Sequence, residues 1–215
     1  MREELAGNPL DVLARWVAEA EAAGLPLPST MTFATADAHG VPHARTVLVT
    51  AIDAAAVQFH SSRPTTKTRD LERNPAVSAV FHWPALGRQV VLQGRAAELD
   101  AAASRVAFPT RPRQLQLIAW VYEALAPGLV APRYEVERGA VERSFDDSAA
   151  RDPATREMPP SWTTIRLVPD RVDFWQAGTE VTPPGKTRFV LDGDRRSGAA
   201  AHKAADGWRC FPVLP

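Results

Sequence analysis

The sequence predicts a mainly β protein with peripheral helices (α+β), folded over residues 1–215 as a single antiparallel barrel domain. Three observations predict this. Short apolar runs follow one another with turn residues between them, which is the order of successive hairpins. Helical periodicity is confined to the N-terminus, one short polar segment and the middle of the chain. No internal repeat is visible. Strands in hairpin order with helices at the periphery close most simply as a barrel.

The elements follow in order. Asn8-Pro9 opens a helix, with Asn as cap and Pro in the first turn. Leu10, Leu13, Trp16, Val17 and Ala20 recur at helical spacing, and Gly24 closes it. After the LPLPS linker, residues 31–36 read as a strand, DAHG (37–40) as a hairpin turn and residues 44–52 as its partner. A third strand covers 57–61. A polar helix covers 65–73 and ends at Asn74-Pro75. Strands follow at 76–83 and 88–99, then helices at 100–108 and 113–123. Residues 126–160 form a helical and loop insertion, with a candidate helix at 134–145. Strands at 163–168, 171–176, 188–191 and 207–211 finish the chain, with a break expected between the first two.

Composition limits the function. Of 215 residues, 45% are hydrophobic and 23% charged, an ordinary globular balance. The formal net charge is zero, so neither nucleic acid nor an anionic membrane is an expected partner. Cys210 is the single cysteine, which excludes an intrachain disulfide and fits a reducing compartment. No signal-peptide core and no run of about 18 apolar residues is present, so a soluble cytoplasmic protein is expected.

Several chemistries lack their residues. There is no GxGxxG and no GxSxG. Gly185-Lys186-Thr187 imitates the end of a phosphate loop, but position 180 is Glu where that loop needs glycine. The five histidines show no HExxH or Cys-His spacing, so no metal site is expected. His82 beside Trp83 reads as a half-buried strand residue.

Three polar clusters border apolar strands. Arg45 opens Thr46-Val47-Leu48 and either grips an anion bidentately or snorkels to solvent. SSRPTTK (61–67) leads into a helix with hydroxyls, backbone N–H groups and a lysine, which makes either a phosphate cradle or a capped surface helix. Gln89 shares a face with Val91, so a specific partner is expected for its amide.

These blocks stand in a familiar order. NPLDVLARWVAEAEAAGLPLPSTMTFATADAHGVPHARTVLV, KTRDLERNPAVSAVFHWPALGRQVVLQGRAAEL, RPRQLQLIAW and PPSWTTIRLVPDRVDFWQ together resemble the pyridoxamine 5′-phosphate oxidase family, over nearly the whole chain. The resemblance implies an FMN-binding split β-barrel, a homodimer with flavin at the subunit interface, and oxidation of a small molecule. It assigns cofactor contacts to Arg45, Thr46, Val47 and Leu48, to His60 and Ser61, to Thr66 and Lys67, to Gln89, to Trp175 and to Arg188. A Gln-Ser pair of the family is replaced by Ala124-Leu125. Of the four groups that hold the family's substrate phosphate, Arg111 is kept. Thr50, Ala107 and Leu115 replace a lysine, a tyrosine and a serine. The arginine and histidine that bind the pyridine ring fall at Val181 and Pro183. The expected function is an FMN-dependent oxidoreductase for a small aromatic or heterocyclic substrate other than pyridoxine or pyridoxamine 5′-phosphate. The alternatives are a non-enzymatic flavin or small-molecule binder, or a true oxidase in which Lys186 replaces lost partners.

Overall fold

The computed structural model describes residues 5–151, 157–191, 202–203 and 207–215. Helix α1 (Pro9–Ala22) starts where the sequence places it: the Asn8 side chain accepts from the Leu10 N–H at 2.8 Å. Its apolar face buries Leu10, Leu13, Trp16 and Ala20 in the core. Strands β1 (Thr30–Ala36) and β2 (Pro42–Ile52) form the first hairpin. In its turn the Asp37 carboxylate accepts from the backbone N–H groups of His39 and Val41 (2.8 and 2.9 Å), and Gly40 takes a φ of 83° that favours glycine. β3 (Val57–Ser62), α2 (Thr66–Arg73), β4 (Ala76–Trp83) and β5 (Arg88–Glu98) follow. Next come α3 (Ala101–Ala107), α4 (Arg113–Leu125), α5 (Ala140–Ala150), β6 (Trp162–Gln176), β7 (Gly185–Leu191), β8 (His202–Lys203) and β9 (Trp208–Val213).

The nine strands form a single sheet in the order β3-β2-β1-β4-β5-β6-β7-β9-β8, and a further β3–β6 pairing closes the first six into an antiparallel barrel. The split lies in β6. Residues 162–167 pair with β3, whereas 171–176 leave it and pair with β7; β5 runs alongside both halves. Inside, Phe174 meets Trp16 edge-on at 5.0 Å and Phe189 at 5.5 Å, and Phe33 packs on Phe59 at 4.8 Å. All five of these rings are fully buried. Their burial and edge-to-face contacts give α1 its seat on the sheet.

The sequence expectation differs from the fold at three places. The break foreseen at Pro169-Asp170 is absent, because β6 runs through it as one strand of 15 residues. Its missing proline N–H is accommodated at a register shift opposite Gln93 and Gly94. The candidate helix at 134–145 begins only at Ala140, since Tyr134 (φ 51°) and Gly139 (φ 76°) both leave the right-handed helical region before it. His82 is exposed rather than half-buried.

At Gly94 the backbone of β6 lies close against β5. A Cβ there would lie 2.2 Å from the Val168 carbonyl oxygen and 2.6 Å from the Pro169 Cα, both backbone atoms. Gly94→Ala is expected to cost about 1–3 kcal/mol, the scale of core overpacking. Urea unfolding measures it against Gly128→Ala, a position with nothing within 4 Å of the added carbon. Equal midpoints for the two variants would show that the crossing opens without cost.

Candidate functional site

A cleft of about 340 Å³ opens where β2, β3, the start of α2 and α4 meet. Its walls bring together Arg45, Thr46, Val47 and Leu48 from β2, His60 and Ser61 from β3, Lys67 from α2, and Arg111 just before α4. Eight of the twelve sequence-predicted residues therefore share one cavity. Thr66 is not among its lining residues. Thr65 takes that place, as the N-cap of α2, in a reciprocal capping box with Thr68.

Three cations and no carboxylate line this cleft. Arg45 is held from behind. Its Nη1 donates to the Phe33 carbonyl (3.2 Å) and the Thr35 hydroxyl (2.9 Å), and that hydroxyl donates to buried Asp70 (2.5 Å). His43 Nδ1 also meets Asp70, at 2.9 Å. Lys67 makes one hydrogen bond among the described residues, to the Thr65 hydroxyl at 3.3 Å. Burial, and then the nearby Arg45 charge, bring its pKa down to about 8, against a smaller pull upward from Glu98. Burial also works against the charge of Arg45 and of Arg111. Each of these effects is relieved by an anion entering the cleft.

His60 stacks on Trp162 with ring centroids 4.5 Å apart, and its Nδ1 lies 3.0 Å from the Thr164 hydroxyl. Burial, followed by the Arg111 charge, lowers its pKa to about 4, so the ring is neutral at pH 7. A folded pKa below the unfolded value of about 6.5 makes stability complete above pH 6.5 and drains it as pH falls toward 4. Thermal unfolding between pH 7 and 4 is expected to show a slope that His60→Gln reduces. An unchanged slope in the variant would assign the acid sensitivity to other groups.

Gln89, Trp175 and Arg188 lie elsewhere. Gln89 pairs with Trp175 across β5 and β6, and Trp175 with Lys186 on β7, so these side chains share one half-exposed face of the sheet. Val91, Asp173 and Arg188 form the next row. Buried Asp173 gathers three cations: Arg188 in two bonds (2.8 and 2.9 Å), Arg171 in two (3.2 and 2.9 Å) and Lys186 at 3.4 Å. Those partners outweigh its burial and hold its carboxyl far below the usual range. From Trp162, on the cleft wall, to Trp175 the chain of β6 runs about 40 Å at ~3.3 Å per residue. That is longer than one flavin.

Sequence reasoning missed Trp162 and Tyr122 on the cleft wall and reached Ser62 only as part of the 61–67 segment. Trp162 pairs with Ser62 across β3 and β6, a long-range register that no local signal carries. Tyr122 was legible: Leu115, Ile118, Ala119 and Tyr122 recur at helical spacing along one face of α4. The substituted positions are also placed. Thr50 donates to the Gln58 carbonyl (3.3 Å) and is not among the lining residues of the cleft, whereas Leu115 is. Val181 is 91% exposed in a tight loop pinned by Thr179 and Thr182, whose hydroxyls are 2.8 Å apart.

Among the described residues no three His, Cys, Asp or Glu side chains converge on a possible metal position, and no helix is long and apolar enough to cross a membrane. A family profile described as pyridoxamine 5′-phosphate oxidase matches residues 17–176. The chain is 36% identical to the pyridoxine/pyridoxamine 5′-phosphate oxidase of Bordetella avium and 39% identical to that of Bordetella pertussis. Each match spans 199 residues, covering 89% of this chain and 91% of the relative. Among solved structures, PhzG from Burkholderia lata in complex with tetrahydrophenazine-1-carboxylic acid superposes with a TM-score of 0.82 at 22% identity, over 99% of this chain and 95% of that one. A pyridoxamine 5′-phosphate oxidase-related, FMN binding protein from Nostoc punctiforme superposes with a TM-score of 0.69 at 15% identity, over 95% and 96%. With a split barrel, a cation-lined cleft and a match over most of its length, the chain belongs to the pyridoxamine 5′-phosphate oxidase family.

Proposed function

We propose that the protein is an FMN-dependent oxidoreductase that acts, as a homodimer, on a small aromatic or heterocyclic substrate other than pyridoxine or pyridoxamine 5′-phosphate. The observation that carries this is the cleft itself, with Arg45, Lys67 and Arg111 around one cavity and no acid on its walls. Such a donor set suits a phosphate dianion, which needs several charge-assisted partners. Thr65, Ser61 and Ser62 add hydroxyls beside it. When bound, FMN supplies the redox chemistry, while the protein orients it and its partner.

Separation along β6 supports the dimer reading. A chain whose cleft holds the phosphate end of a flavin cannot reach the ring with its own Trp175. A second copy, related by a twofold axis, can present Gln89, Trp175 and Arg188 to that ring. Asp173 would then keep the Arg188 guanidinium extended and in place. On the substrate side, Leu115, Ile118 and Ala119 give the cleft an apolar wall.

The test is titration of apoprotein with FMN, followed by quenching of flavin fluorescence, with light scattering on the same samples. Saturable binding at micromolar FMN and a mass near 47 kDa, about twice the 23.4 kDa chain, are expected. A monomer that ignores FMN would remove the proposal. A coloured dimer that reoxidises in air and reacts with none of a panel of aromatic substrates would favour a flavin-binding role without catalysis.

A further inference from the structure

We infer that Asp70, which is not among the lining residues of the cleft, is a positioning residue for Arg45. Through the Thr35 hydroxyl it fixes one nitrogen of the guanidinium and leaves the rest of the fork open to the cofactor's phosphate. The inference rests on the proposed function and deepens it, since it says what aims the anion-binding arginine.

The register of the first hairpin sets the parts side by side. Thr35 of β1 stands opposite His43 of β2, and Phe33 opposite Arg45. Alternate residues of a strand share a face, so Thr35, His43 and Arg45 lie together. Helix α2 brings Asp70 onto this group, and both Asp70 and Thr35 are buried. One carboxylate oxygen, Oδ2, meets the Thr35 hydroxyl at 2.5 Å and His43 Nδ1 at 2.9 Å.

A carboxylate can only accept, so the order of donors is forced. His43 gives its Nδ1 hydrogen to Asp70, and Thr35 gives its hydroxyl hydrogen to the same oxygen. The lone pairs of Thr35 are then left for Arg45 Nη1, which donates to them at 2.9 Å and to the Phe33 carbonyl at 3.2 Å. Among the described residues Arg45 makes no other hydrogen bond and no ion pair, so Nε and Nη2 are uncommitted. A carboxylate set directly on the guanidinium would take this fork, as Asp173 takes two nitrogens of Arg188. One hydroxyl of separation avoids that and still supplies a counter-charge. Burial works against the Arg45 charge, and Asp70 supports it. The support is needed because Lys67 lines the same cleft and no acid does.

FMN titration by fluorescence quenching tests this, with urea unfolding of each variant alongside. Asp70→Asn keeps the shape, removes the charge and no longer forces the Thr35 hydroxyl to turn its hydrogen away from Arg45. It is expected to weaken FMN about five- to tenfold. Thr35→Val, which removes the relay hydroxyl, is expected to weaken FMN about fivefold, and Thr35→Ser, which restores it, to bind within about twofold of wild type. In an Arg45→Met background neither Asp70→Asn nor Thr35→Val should weaken FMN further, because both act through the guanidinium. A merely structural Asp70 would weaken FMN equally with and without Arg45. Where Asp70→Asn fails to fold, the two Thr35 variants and the Arg45→Met background carry the test. FMN affinity unchanged by Asp70→Asn or by Thr35→Val, or full additivity with Arg45→Met, would overturn the inference and spare the proposed function. Wild-type protein that binds no FMN would overturn both.

Discussion

FMN-loaded protein given millimolar pyridoxamine 5′-phosphate is expected to turn over more than about a thousandfold below the ~10 per second of a typical enzyme. The resemblance sets Thr50, Ala107 and Leu115 where the family's substrate phosphate is held, and none of the three offers a charge. Each charge-assisted bond lost is worth about 1.5–3 kcal/mol. Thr50 turns its hydroxyl to the Gln58 carbonyl, and Leu115 presents an apolar side chain to the cleft. Val181 and Pro183 bring neither charge nor side-chain donor to the ring. Lys186, the cation the sequence reading offers as a substitute, is 3.4 Å from Asp173, and withdrawing it would separate it from a buried carboxylate. The 36–39% identity to pyridoxine/pyridoxamine 5′-phosphate oxidases does not decide the matter, since activity follows site residues and not the shared fold. Pyridoxal phosphate formation measures it. Turnover near 1 per second or faster would make this chain an oxidase of that kind, with partners for the phosphate other than the family's.

Lys67→Met is expected to weaken FMN by about 1.5–3 kcal/mol, roughly 10- to 150-fold, through loss of a charged hydrogen-bond donor. The wild-type affinity should also depend on pH. In the cleft without an anion the Lys67 pKa is about 8, and pairing with a phosphate raises it. The affinity is therefore complete below pH 8 and falls as pH rises through 8 toward the higher pKa of the bound form. Lys67→Arg provides the control, because its guanidinium stays charged throughout. A wild-type profile between pH 7 and 9.5 that overlays that of Lys67→Arg would place Lys67 outside the phosphate contact.

The sequence by itself determined the parts whose causes are local. The Asn8 cap, the Asp37–Gly40 turn, the capping residues before α2 and the alternation of β4 and β5 all depend on neighbours within a few positions. The motif order around Arg45, Lys67 and Gln89 also sufficed to recognise the family. The tertiary structure decided what depends on long-range pairing. Pro169 reads locally as a break, yet β6 continues because β5 pairs along its length and Gly94 leaves room for the crossing. His60, Ser61, Ser62, Thr65, Lys67 and Arg111 line one cavity only because β3 closes the barrel on β6 and α4 lies beside it. Trp175 looks in sequence like another member of the same site. The length of β6 carries it to the far end of the strand, since an extended strand gains about 3.3 Å with every residue and cannot fold back on itself.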